Sequence, residues 1–437
     1  MKSISQRWYL WAALLIGTFE GLLYAYTMKL LPDQMQLLKK GVLLSALGRW
    51  THFGNAITGG GFNPGSLTSA LVGIPLMLWD SPFSYEIAIA ALQLFGLFLL
   101  YKALADEFSE FERLAFIMFI WLTPWRASFA FLWNPSYLFF VSGLHLYTAV
   151  QMNKQRSFWM TFLHFTSLSL ALQIHASFIV LILSTAYLVG RRLYIVDWRA
   201  AGVAILAGAA SLIPYILATM GDHELSPMTT TPGEQHFYVG RGLVEVIPLL
   251  KGIFYWPRYS SALFPNHIQN MVSFDGIANP TLRQIAKVAF FGGSYTVGVF
   301  TMIISLAAFI WLLQKIWRSR RTQFKHERFM DNYMTATVFA VLGASAISPI
   351  VFSNWHLLLI MPIANIQLFR FLFRKMQFVR PLAWLPPVRF VAACCIYFIG
   401  YNLVAVSISN SRSFTDNIHT HYSEARAIII EIAKQHH

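Results

Sequence analysis

Long apolar runs alternate with short polar segments along nearly the whole chain. The runs fall at about 8–29, 84–103, 113–125, 134–151, 158–172, 175–190, 200–219, 289–313, 334–352, 356–373 and 390–409. A straight membrane crossing needs about 20 apolar residues. Several runs are shorter, which is tolerated where helices line a cavity or the bilayer thins. A further apolar stretch, Ser66–Trp79, has the length of a re-entrant or interfacial helix rather than a crossing. The pattern predicts an all-α integral membrane protein with about eleven transmembrane helices plus that short helix, as one polytopic domain over residues 1–437.

Composition supports this reading. Only 12% of residues are charged, about half the share in soluble chains. Mean hydropathy is +0.53. The net charge of +14 does not indicate a nucleic-acid partner. The basic residues sit in short clusters between apolar runs, as a positive-inside bias requires, and membrane lipids are the partners that such clusters meet. With the N-terminus inside and 66–79 not crossing, the inside loops hold Lys154 and Arg156, then Arg191, Arg192 and Arg199, then Lys315–Arg328, then Arg370–Arg389. Asp106, Glu107, Glu110 and Glu112 would also lie inside, but acidic residues weigh little in this rule. If 66–79 does cross, every later loop inverts. The short basic start and long apolar run, with no small-residue cleavage site behind them, read as an uncleaved signal anchor. The two cysteines, Cys394 and Cys395, have no metal or disulfide spacing.

This topology leaves outside a first loop at 30–83, the Arg126–Ser136 junction, a large loop at 221–286 and a tail at 411–437. In the tail Ala425, Ile428, Ile429 and Ile432 recur at helical spacing. The external segments are expected to form a small cap.

Polar residues cluster at these outer ends. Asp33 follows the first span directly. A carboxylate at that boundary can serve as general base; Asp also suits a first helical turn electrostatically. Behind it come Arg49, His52, Asn55, a Gly59-Gly60-Gly61 turn and Asn63-Pro64-Gly65. The junction Pro124-Trp125-Arg126 … Trp133-Asn134-Pro135-Ser136 joins two spans. Its Arg and Trp suit either a ligand or a membrane interface. Gln173-Ile-His175 and Ser353-Asn354-Trp355-His356 sit at two more outer helix ends. Ionisable groups at such depth are rare, and they are usually functional or paired. In the large loop, Arg241 and Arg258 lie among aromatic residues, and His267 follows. Arginine with aromatic rings fits a sugar phosphate or a plain interface equally well. Polar groups at separate outer ends suggest one shared cavity.

In order along the chain, these motifs resemble the GT-C superfamily of polytopic glycosyltransferases. The resemblance rests on Asp33 after the first span, Gly48–Trp50, the Gly/Pro turn before a short apolar helix, the Trp-Asn-Pro-Ser junction, the Gln-x-His junction and the late aromatic–His pair. Bacterial aminoarabinose transferases, protein O-mannosyltransferases and family 39-like enzymes are similar in this respect. The resemblance implies a GT-C-like fold in a bacterial inner membrane, with its active site facing the periplasm. It implies a polyprenyl (undecaprenyl) phosphate sugar donor and a glycan, lipopolysaccharide, lipid or protein acceptor. The family's catalytic acid maps onto Asp33. Arg49, Arg126, Arg241 and Arg258 are the candidates for the donor phosphate, and His52, Trp133, Asn134, Gln173, His175 and His356 for the rest of the pocket. Metal dependence varies in the family. Many members have Asp-Glu where this chain has Asp33-Gln34, which removes a second ligand, so no metal residue is assigned. Two other classes stay open: a lipid-linked glycan polymerase or ligase, which would use Arg241 or His267, and a transporter or flippase, for which Glu20 inside the first span is the pointer.

Overall fold

A computed structural model describes residues 2–28, 31–56, 62–221, 246–264, 272–319, 328–348, 353–378, 385–408 and 417–435. The Gly59–Gly61 turn, Arg241, His267 and residues 411–416 lie outside these ranges. In chain order the elements are α1 (Lys2–Thr27), α2 (Pro32–Leu47), β1 (Phe53–Ala56), β2 (Phe62–Pro64), α3 (Leu67–Leu78), α4 (Pro82–Ala103), α5 (Glu110–Leu122), the single turn α6 (Pro124–Ala127), α7 (Leu138–Lys154), α8 (Phe158–Ile174) and α9 (Phe178–Gly190). Then come α10 (Trp198–Gly221), α11 (Val246–Tyr259), α12 (Pro280–Ser319), α13 (Phe329–Ile347), α14 (Met361–Arg374), α15 (Pro387–Ser407) and α16 (Ile418–Gln435). Each apolar run of the sequence carries a helix. Among the described residues six helices are long and apolar enough to cross a membrane, so the protein is a multi-pass membrane protein.

The sequence also predicts how these helices start. Pro32 and Pro82 occupy first-turn positions, where a missing N–H costs nothing. Ser109 and Glu112 form a capping box on α5. Inside the bundle, packing relies on small residues and polar contacts, because lipid supplies no hydrophobic drive between helices. Gly96 of α4 faces Gly143 of α7, and a Cβ on Gly96 would come within 2.8 Å of the Phe140 backbone. His145 bonds the Tyr333 hydroxyl (2.7 Å) and Thr185 Oγ1 (3.0 Å), and His164 bonds Thr148 (2.9 Å) and the same Thr185 (3.1 Å). This buried network joins α7, α8, α9 and α13.

The helices α7 and α14 carry charge at one end. There Lys154 pairs with Asp106 (2.5 Å), Arg370 bridges Glu107 (2.8 Å) and Asp331 (2.6 Å), Lys315 reaches Asp331 (2.8 Å) and Arg374 reaches Glu107 (2.5 Å). Two acids of the loop that stood against the charge rule are thus partners of the basic residues around it.

Beyond the bundle's other end, α2, α3 and α16 form a second layer. Leu37, Leu38, Val42, Val72, Leu76, Ile418, Tyr422 and Ile429 make its buried core. The sequence reading differs from the structure in three places. A two-stranded antiparallel hairpin, β1–β2, interrupts an otherwise helical chain. The helix over run 289–313 extends to Pro280–Ser319. The tail helix buries Ile418, Tyr422, Ala425 and Ile429, while Ile428 and Ile432 stay 48% and 44% exposed. Its contact face is rotated because Tyr422 and Arg426 are drawn to Asp80 (2.5 and 3.0 Å) and His419 to Glu86 (2.9 Å).

Candidate active site

Four separate parts of the chain meet at the end of the bundle away from the charged cluster. Helix α2 offers Asp33 from its first turn. The α6–α7 junction offers Trp133, Asn134 and Pro135. Its shape is fixed from α4, where the Gln93 amide donates to the carbonyls of Phe129 (3.0 Å) and Ser136 (3.1 Å). Helix α8 ends at His175. The 3-10 turn before α14, Asn354–Ile360, supplies Trp355 and His356. With Asn55, Ala56 and Asn63 of the hairpin and Ala176, these residues enclose a cavity of about 70 Å³.

The Trp133 indole Nε1–H donates to Asp33 Oδ2 at 3.1 Å. The Trp133 ring is stacked with Phe129 and Phe131, each 5.5 Å away, and lies 5.7 Å from Trp355. Asn55 donates from Nδ2 to the Asp33 carbonyl (2.9 Å) and accepts from Lys40 Nζ (2.9 Å). The carboxylate is therefore aimed by a side chain and by its own clamped backbone.

The two imidazoles are similarly fixed. His175 Nδ1 accepts the backbone N–H of Ser177 (3.1 Å), and His356 Nδ1 accepts that of Ser353 (2.8 Å). Since Nδ1 is the acceptor in both, each neutral ring carries its proton on Nε2. The ring centroids are 5.6 Å apart. The cavity thus gathers one carboxylate, two neutral N–H donors and two indoles. Asn134 is 4% exposed, and its Oδ1 meets no hydrogen-bond donor among the described residues. A buried acceptor left alone is costly, and a ligand hydroxyl would satisfy it.

Of the other residues singled out by sequence, several lie elsewhere. Arg126 is a buried latch: Nε donates to the Trp121 carbonyl (2.9 Å), a second nitrogen to the Gly17 carbonyl (2.6 Å), and the guanidinium stacks 4.0 Å from the Trp121 ring. Arg258 donates to the carbonyls of Leu263 (3.3 Å) and Phe264 (3.2 Å). Arg49 donates to the Ala433 carbonyl (2.8 Å) and lines a different, apolar groove of about 820 Å³ between α2 and α16. His52 is exposed in the bend before β1. Gln173, one helical turn from the cavity, packs on Gly65 and donates to Ser211 (3.0 Å). Gly65 has φ 88°, the left-handed region that the Asn-Pro-Gly turn requires. Arg241 lies outside the described residues.

The residues do not fit a metal centre. Gln34, next to Asp33, is spent on capping: its Oε1 accepts the Leu31 N–H at 2.7 Å. Among the described residues no group of three or more His, Cys, Asp or Glu is placed to hold an ion. Sequence reading missed Lys40 and Gln93. A lysine on the apolar face of α2, between Leu37, Leu38, Gly41 and Val42, was the available signal for the first.

No family model and no curated protein matches the chain. Solved structures do. The crystal structure of ArnT from Cupriavidus metallidurans bound to undecaprenyl phosphate superposes with TM-score 0.51 at 12% identity, over 96% of this chain and 78% of that one. The apo structure of the same protein gives TM-score 0.51 at 13% identity, over 98% and 78%. ArnT is a GT-C aminoarabinose transferase. At this identity the likeness is one of architecture, and it spans nearly the whole chain: the fold is GT-C-like.

Proposed function

We propose that the protein is a membrane glycosyltransferase that moves a sugar from a polyprenyl-phosphate carrier to a cell-envelope acceptor, with Asp33 as general base. The observation that carries this reading is the convergence of Asp33, Trp133, Asn134, His175 and His356 on one cavity. The GT-C-like fold supports it, because a solved structure with that fold holds undecaprenyl phosphate. The reading takes the apolar runs as eleven crossings, the charged end as cytoplasmic and the cavity as facing the periplasm of a bacterial inner membrane.

The chemistry follows from the groups present. Asp33 takes the proton of an acceptor hydroxyl or amine. The freed oxygen or nitrogen attacks the anomeric carbon. The carbon–oxygen bond to the phosphate breaks with inversion, and the lipid phosphate leaves as an anion. The Nε2–H groups of His175 and His356 supply hydrogen bonds to that anion without a charge of their own. Trp133 and Trp355 give the sugar a ring surface, and Asn134 Oδ1 takes a sugar hydroxyl. The cavity's 70 Å³ is too small for a sugar phosphate, so donor binding widens it.

The test is direct. The full chain in lipid nanodiscs is given a bacterial extract of lipid-linked sugars and envelope acceptors, and the products are followed by mass spectrometry. Loss of one lipid-phosphate sugar with release of free polyprenyl phosphate is expected. A sugar lipid that crosses the bilayer of a proteoliposome unchanged would replace the reading with a transporter.

A further inference from the structure

We infer that Lys40, through Asn55, is a positioning residue for Asp33; the catalytic half of this inference rests on the function proposed above. Lys40 is unusual for a lysine. It is 4% exposed, in the middle of α2, about two turns behind Asp33. Burying an ammonium is expensive unless it is paired. Among the described residues no carboxylate bonds it. Its described partners are Asn55 Oδ1 at 2.9 Å and the face of Phe53 at 5.8 Å. A methionine or leucine would fill the same apolar space between α2 and β1 without that cost.

The geometry points to what the ammonium does. An amide side chain can turn by half a rotation and exchange its oxygen for its nitrogen. Lys40 is a donor only, so it holds Asn55 with the oxygen toward α2. That leaves Nδ2 toward the Asp33 carbonyl, 2.9 Å away. Asn55 is itself 2% exposed, so no water takes over this contact. Without the ammonium, Asn55 Oδ1 is a buried acceptor with no donor, and the amide leaves its place to find one. Asp33 stands in the first turn of α2, where the backbone N–H groups have no helical acceptor, and its carbonyl accepts from Asn55. The Asn55 bond ties that turn to the hairpin, one turn before the bond from the Ala56 N–H to Gln36 Oε1 (2.9 Å), and it sets where Oδ2 meets the Trp133 N–H. The exposed neighbour Lys39 lines the separate groove and is the natural control.

The experiment reads the Trp133 indole N–H and needs no substrate. In full-length protein labelled with 15N-tryptophan, the Trp133 resonance is assigned by its loss in Trp133→Phe. Asp33→Ala defines its position with the carboxylate bond absent. Lys40→Met and Asn55→Ala are expected to shift it at least halfway to that position, and the double variant no further than the larger single shift. Lys40→Arg restores most of the wild-type position, and Lys39→Met leaves it unmoved. If Lys40→Met does not fold, Asn55→Asp replaces it, since that change keeps the partner of Lys40 but removes the donor to Asp33. A Trp133 resonance that stays at the wild-type position in a folded Lys40→Met, Asn55→Ala or Asn55→Asp protein overturns the inference. In the transfer assay, kcat falls 10- to 100-fold in Lys40→Met with the donor KM within about twofold. A rise in donor KM alone would make Lys40 a substrate contact instead. If no transfer is found in wild type, the function fails, while the spectroscopic result still decides the positioning.

Discussion

Trp133 donates its indole N–H to Asp33 across 3.1 Å, although the two residues are 100 positions apart in the chain. The bond joins α2 to the junction between α6 and α7, and it gives the carboxylate one fixed direction. Trp133→Phe keeps the stack with Phe129 and Phe131 and removes only the N–H. A hydrogen bond to a charged group contributes about 1.5–3 kcal/mol, so transfer is expected to slow by roughly tenfold or more, chiefly in kcat. Steady-state kinetics on the purified variant check this.

Asn134 separates ligand binding from folding. Its Oδ1 has no donor among the described residues, so the unliganded protein gives up little when it is removed. Asn134→Ala is expected to leave the melting temperature within a degree or two and to raise the KM for sugar donor about tenfold. A large drop in melting temperature with unchanged KM would assign Asn134 to the packing of the junction.

Arg126 behaves in the opposite way. Its guanidinium is fixed on two backbone carbonyls and an aromatic ring, and its charge acts on buried Glu20, which Asn402 holds at 2.8 Å. Lysine cannot reproduce the planar fork. Removing the fork leaves two buried carbonyls without their donor, at about 1–3 kcal/mol each. Arg126→Lys and Arg126→Ala should therefore lower thermal stability and membrane yield sharply, with Glu20→Gln partly rescuing the alanine variant. Full stability with lost donor binding would move Arg126 into the site.

The fold was largely legible because membrane crossings leave long apolar runs, and every such run carries a helix. The short helix at 67–78 was legible from its length. Asp33, Trp133, Asn134, His175 and His356 were legible as polar or aromatic residues at helix ends, and they line one cavity. The hairpin was not, since Phe53-Gly-Asn-Ala and Phe62-Asn-Pro are short and contain residues that strands disfavour. The burial of Arg126 was hidden for another reason. Beside Pro124 and Trp125 it looks like an interfacial anchor, and its place is made by Gly21 of α1, where a Cβ would come within 2.9 Å of the guanidinium. Lys40 carries its meaning in Asn55, which neither position reveals alone.

The central claim is that Asp33 performs a transfer chemistry on a lipid-linked sugar. The most direct measurement is mass spectrometry of envelope glycolipids, glycans and lipid-linked sugars in three strains: wild type, a deletion, and the deletion carrying Asp33→Asn protein at normal level. The account predicts that one sugar modification is missing in both mutants and that its polyprenyl-phosphate donor accumulates in both. Restoration of the modification by Asp33→Asn would contradict it.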